Sequence, residues 1–192
     1  MGNPWDRAPL AMAGEPDANT LYVAVGEALS EWENSELYLL RIYGLFLGVV
    51  PVSARASTAY VEAKMFSKRI KVIEDEAERF FHRIHDQGLE GLFSGLSKDM
   101  QRFARRRNDI AHGVVSLIWD KDDLGPRNID DALGRGEYML VPAVYRHKDY
   151  EPDGSPKYRY TSSEINTYKS RFRELRDRLV TLHVQILKRR AS

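Results

Sequence analysis

The stretch TSSEINTYKSRFRELRDRLVTLHVQI, Thr161–Ile186, decides the fold class. Ile165, Tyr168, Phe172, Leu175, Leu179, Leu182 and Ile186 step by three and four residues, which lines them along one face of an α-helix. Arg, Lys, Glu and Asp occupy the other faces. Thr161 or Ser162 starts the helix, and Glu164, three residues after Thr161, completes a capping-box pattern. So clear a stripe has to be buried against other elements, and the rest of the chain must supply them.

Working back from it, Leu21, Val25, Ala28, Leu29, Trp32, Leu39, Tyr43 and Phe46 predict a first helix that begins near Thr20 and ends at Pro51. From Leu37 to Val50 this helix is apolar nearly all round, as suits burial between other helices or in a dimer seam. Phe66, Ile70, Ile73, Ala77, Phe80, Phe81 and Ile84 carry a second helix, from about Ser53 to Gln87. Gly88, Gly91 and Gly95 punctuate a turn into a third, roughly Leu96 to Ala111, with Gly113 in the position of a C-terminal cap. There the period changes. Val114–Trp119 and Glu137–Tyr145 are β-branched or aromatic and flank the turn-rich Lys121–Pro126, so an antiparallel hairpin is expected, with Pro142 keeping its strand at an edge. Lys157–Tyr160 reads as a third short strand. The expected fold is mainly α: an antiparallel helical bundle over residues 20–192 with a small β-hairpin insert (residues 114–160) before the last helix. Residues 1–19, rich in Pro, Gly and Ala, read as a flexible tail.

Composition narrows the function. A chain of 192 residues, 43% hydrophobic, suits one domain with a real core. It has no cysteine, which excludes disulfides, thiolate zinc sites and thiol nucleophiles and fits a reducing compartment. A formal net charge of +1 excludes bulk attraction to nucleic acid or anionic membrane, so any such binding needs a local basic patch. With no signal-peptide pattern and no apolar run long enough to span a bilayer, the expectation is a soluble cytoplasmic protein without membrane contact.

Arg107-Asn108-Asp109-Ile110-Ala111-His112-Gly113 carries the chemistry. It places a permanent cation, an amide and a group that titrates near neutrality within six consecutive positions. The stripe Leu96, Met100, Phe103, Arg107, Ile110 puts Arg107 on the apolar line, where an unpaired charge is costly. Such a position implies a paired charge, a subunit seam or a site. Arg followed by Asn, then His four residues later, resembles the HEPN superfamily, helical domains that include many prokaryotic endoribonucleases. The order of two long helices, a motif helix and a closing helix is similar too. The bare spacing also fits Arg79 with His85, Arg178 with His183, and Arg105 or Arg106 with His112. Only Arg107 has Asn after it, with a small residue before the His and a Gly after it. An ordinary helix end, with His112 on terminal carbonyls and Arg107 extended along the surface, accounts for the same residues.

The resemblance implies metal-independent cleavage of RNA by 2′-hydroxyl transesterification, with no cofactor. His112 would transfer the proton, Arg107 would stabilise the phosphorane, and Asn108 would orient the His or a phosphate oxygen. Residues five apart point about 140° apart on a helix, so Arg107 and His112 share a face only if the long Arg side chain wraps or the helix loosens before Gly113. A homodimeric composite site, each Arg facing the other subunit's His, is what the resemblance implies. A toxin or phage-defence effector, with an antitoxin or other protein partner, is the implied setting. The alternative is a catalytically silent module that binds RNA or nucleotide or scaffolds a partner. For RNA contacts the candidates are Arg102, Arg105 and Arg106, and Tyr158, Arg159 and Tyr160 from a region holding five of the ten tyrosines. Cross-strand tyrosine pairs in a hairpin would give the same pattern. Glu74, Glu78, His82 and His85 share one face of the second helix, but Phe80, Phe81 and Ile84 already define its buried face, so a solvated face rather than half a metal site is expected.

Overall fold

The computed structural model describes residues 2–49, 58–118 and 137–191. The chain is mainly α, with a two-stranded antiparallel sheet before the last helix. In order it forms α1 (Ala18–Leu47), α2 (Thr58–Glu62), α3 (Phe66–Ile84), α4 (Gln87–Ala111), β1 (Gly113–Ile118), β2 (Glu137–Pro142), a 3-10 turn (His147–Asp149) and α5 (Ser162–Ala191). Pro51, the start at Ser53, Trp119 and the turn Lys121–Pro126 lie outside the described residues. Contacts divide the chain into two compact units, Met1–Leu29 with Arg106–Ser170 and Ser30–Arg105 with Arg171–Ser192.

The second of these units has an aromatic core. Trp32 is flanked edge-on by Phe66 and Phe172, each with ring centroids 5.2 Å away. Phe46 meets Phe80, Phe81 and Phe93. Glu36 is buried beside them because both its oxygens are engaged: Trp32 Nε1 donates to one at 2.6 Å and Arg69 Nη1 to the other at 2.7 Å. Ile42, Tyr43, Leu45 and Phe46 are all buried within this one chain. Most of the apolar residues of α1 are therefore covered within the chain, while Leu37 stays exposed at 43%.

Two helix boundaries differ from the periodicity. The expected continuous second helix is broken at residues 63–65, where Met65 is extended and Arg69 Nε donates to the Ala63 carbonyl at 3.0 Å. It ends at Ile84, with His85 left-handed at φ 49°. The expected glycine turn is helical: α4 starts at Gln87, capped by Asp86 Oδ1, which accepts from the Leu89 N–H at 3.0 Å. Each interior glycine costs about 0.5–1 kcal/mol relative to Ala; the cap and the burial of Leu89, Phe93 and Leu96 offset it.

In the other unit, β1 and β2 pair from Gly113↔Pro142 to Ile118↔Glu137. The free edge of β2 is covered by two isolated bridges, Glu15↔Tyr138 and Leu140↔Tyr160. The expected third strand is thus a single bridge at Tyr160, and the expected tail is tied in. Glu15 exchanges backbone hydrogen bonds with Tyr138 at 2.9 and 2.8 Å. Tyr168 Oη donates to the Asp6 carbonyl at 2.8 Å and accepts from the Ala8 N–H at 2.9 Å. α5 begins with the capping box read from sequence: Glu164 accepts from the Thr161 N–H at 2.7 Å and also bonds the Thr161 hydroxyl. All seven residues of its stripe are buried.

Gly113 opens β1 rather than capping α4, and its φ is not in the left-handed region. It is glycine because of space: a Cβ there would lie 2.7 Å from Leu140 Cγ and 3.0 Å from the Asp109 carbonyl oxygen. Leu140 is fully buried and cannot swing away. Gly113→Ala is expected to lower stability by about 1–3 kcal/mol, as overpacking does. A urea midpoint equal to that of the unchanged chain would show that this corner yields.

Candidate functional site

The end of α4 is built on a buried carboxylate that the sequence reading passed over. Asp109 is 3% exposed. Arg7 grips it with both arms of its fork, Nε to Oδ2 and Nη2 to Oδ1, each at 3.0 Å. Arg106 Nη1 lies 3.3 Å from Oδ2, and the Tyr160 hydroxyl donates to the same oxygen at 3.1 Å. Arg7 reaches on to Asp149 at 3.2 Å, which also holds Arg146 Nε at 2.7 Å. Tyr158 donates to the Asp109 carbonyl at 3.0 Å and the His112 N–H to that of Asn108 at 3.2 Å, which satisfies two acceptors that a helix end leaves open. Burial pushes the phenols of Tyr158 and Tyr160 upward, which keeps both protonated as donors.

This network fixes where the motif side chains go. Asp109 and Arg106 turn inward, so the buried arginine is Arg106, at 8% exposure, while Arg107 is half-buried. A period of about 3.6 residues after Phe103 falls between positions 106 and 107, and the partner on Asp109 selects the first. Arg107 Nη1 donates to Asn108 Oδ1 at 3.3 Å, and Asn108 and His112 are exposed. Desolvation, then Arg146, Arg107 and Lys148, lower the His112 pKa below its ordinary value. The lowered pKa favours the neutral imidazole, the form that accepts a proton.

The remaining candidates separate. Arg102 and Arg105 are exposed on α4, and Arg102 lies 3.4 Å from Asp99. Arg106 is committed to Asp109 and cannot serve as an RNA contact. Tyr158 and Tyr160 are fully buried and stacked on each other with centroids 4.9 Å apart, so neither offers a face to a base. Arg159 is half-buried between them. In the rival spacing matches, Arg79 pairs with Glu76 and Arg178 with Asp99, while His183 packs edge-on against Tyr38 at 6.2 Å. Glu74 is engaged by Ser97 and Gln101, and among the described residues no group of three or more His, Cys, Asp or Glu is placed to hold a metal ion. Arg146 and Lys148 stand out in the sequence only as cations among the tyrosines of residues 138–160, with nothing there to connect them with His112. They sit more than thirty residues from the motif, and only the pairing of β1 with β2 brings them to it.

The depressed His112 pKa has a measurable consequence. Lys148 is exposed and outside the Asp109 network, so Lys148→Gln should raise the His112 pKa toward 6.5 by removing one repelling charge. Titration of the imidazole Hε1 signal by NMR, assigned through His112→Ala, reads the shift. A downward shift would show that Lys148 does not face the ring.

Among the described residues, no helix is long and apolar enough to cross a membrane. Comparison of the chain with protein-family models, with curated proteins and with solved structures found no match.

Proposed function

We propose that the chain is a metal-independent endoribonuclease of the kind the HEPN resemblance implies, acting in the cytoplasm as a toxin or phage-defence effector. The observation that carries this reading is the placement of His112: exposed just past the end of α4, where the positive charges of Arg146, Arg107 and Lys148 act on it. A neutral imidazole there suits removal of the 2′-hydroxyl proton. The 2′-oxygen attacks the adjacent phosphorus, the 5′-oxygen leaves with a proton from solvent, and the products carry 2′,3′-cyclic phosphate and 5′-hydroxyl ends. Arg107 is a planar fork suited to two phosphate oxygens of the phosphorane, and its bond to Asn108 holds it in place. DNA lacks the nucleophile and is spared. Incubating the protein with RNA in chelator, beside His112→Ala, tests the reading: cyclic-phosphate ends from the unchanged chain alone support it, and equal cleavage by both sinks it.

One observation favours the silent RNA-binding module as a second reading. Among the described residues, no side chain hydrogen-bonds the His112 ring. A general base is normally oriented by a partner, and substrate or a second copy of the chain could supply one. The homodimer enters the proposal at this point.

A further inference from the structure

The sheet ladder ends at Gly113↔Pro142, so His112 and Ala143 leave it side by side. The next four residues, Ala143–Arg146, form a tight turn closed by the Arg146 N–H donating to the Ala143 carbonyl at 2.8 Å. At its tip Val144 is 79% and Tyr145 73% exposed. Scattered exposed apolar residues are ordinary, and exposure alone says little. This turn, however, is held on both sides. The Tyr150 hydroxyl donates to the Pro142 carbonyl at 2.6 Å, Arg146 Nε bonds Asp149 at 2.7 Å, and Lys157 Nζ bonds the Lys148 carbonyl at 2.9 Å. An aromatic ring is thus presented to solvent on a fixed support, three residues past Pro142, whose ladder partner Gly113 adjoins His112, and is followed by Arg146, His147 and Lys148.

We propose that Tyr145 is a stacking platform for one unpaired base of single-stranded RNA, whose neighbouring phosphates lie on Lys148 and Arg107 and whose backbone crosses His112. The proposal rests on the endoribonuclease reading for its choice of RNA, and it names the form of RNA that the site takes. The cations select a polyanion, and the ring face selects something flat and apolar beside each charge, which a nucleic-acid strand supplies. In an A-form duplex the bases are already stacked on one another, and the major groove is too deep and narrow for a side chain to reach them. Splayed single-stranded bases have free faces. Stacking on one tyrosine discriminates poorly among bases, so the preference is for strandedness more than for sequence.

The 192-residue chain would be titrated into a fluorescently labelled, 2′-O-methylated oligoribonucleotide and followed by anisotropy. That probe lacks the attacking hydroxyl, so affinity is read without cleavage. Tyr145→Ala is expected to weaken binding by about tenfold, Tyr145→Phe to keep the unchanged affinity, and the matching duplex to bind more weakly than the single strand. Because Tyr145 is exposed, the alanine variant should fold normally, which circular dichroism checks. Equal affinity of Tyr145→Ala and the unchanged chain would overturn the proposal, as would equal binding of duplex and single strand, or no binding of either. If Tyr145→Ala loses affinity while His112→Ala still cleaves natural RNA like the unchanged chain, the stacking proposal stands and the endoribonuclease reading falls.

Discussion

His112→Ala is expected to lose RNA cleavage by about a hundredfold or more, the usual cost of removing a positioned general base. The ring is exposed and carries no side-chain bond among the described residues, so its removal should leave the fold intact. Arg107→Lys should be badly impaired as well, although the charge is kept, because an ammonium offers no planar fork for two phosphate oxygens. His85→Ala and His183→Ala are the internal controls. Both belong to the rival spacing matches, and neither sits in the patch formed by Arg107, Arg146 and Lys148, so both should cleave like the unchanged chain. Mixing inactive His112→Ala with inactive Arg107→Lys adds a test of assembly. Recovered cleavage in the mixture means that the Arg and His of one site come from different chains; no recovery means that one chain supplies both. Full activity in His112→Ala preparations free of contaminating nuclease would leave the silent binding module as the better account.

Asp109→Ala is expected to destabilise the unit that carries the motif by about 3 kcal/mol. That is the low end of the range of about 3–5 kcal/mol for breaking a buried ion pair, chosen because the Arg7 side chain keeps 26% exposure. The change leaves Arg7 with Asp149 alone, takes the carboxylate from buried Arg106 and removes the acceptor of the Tyr160 hydroxyl. Asp109→Asn keeps an oxygen in place and should cost less. Urea unfolding with an unchanged m-value measures both, and a loss under about 1 kcal/mol, the level of a surface pair, would show that the network is peripheral. Its acid sensitivity follows from Asp149. Burial pushes that carboxyl up, but the hydrogen bonds and charges of Arg146 and Arg7 outweigh burial and hold its pKa below the ordinary 3.8. Its contribution to stability is therefore complete above that value and is lost as the pH falls through the lower, folded-state pKa.

The helices were legible because their signal is local. The stripe from Ile165 to Ile186 needs only neighbours three and four residues away, and every one of its members is buried. The capping box at Thr161 and the strands at Val114 and Glu137 were readable for the same reason. At Gly88–Gly95 the local signal misled, since a glycine weakens a helix by less than a cap and a buried face strengthen it. The RNDIAHG stretch marked out where a site could be, and it gave Arg107, Asn108 and His112 as candidates. It could not say which arginine turns inward, because Arg106 and Arg107 flank the apolar line about equally. That choice was made by Asp109, whose strongest partner, Arg7, lies 102 residues away in a segment that composition marks as a tail. The tyrosines reversed roles by the same logic. Tyr158 and Tyr160 fill the space over Asp109, and Tyr145 is left outside on its turn. Periodicity fixes which face of an element is apolar. Which polar side chains follow that face inward depends on partners that only the folded chain brings within hydrogen-bond reach, because a buried charge is tolerable only where they meet it.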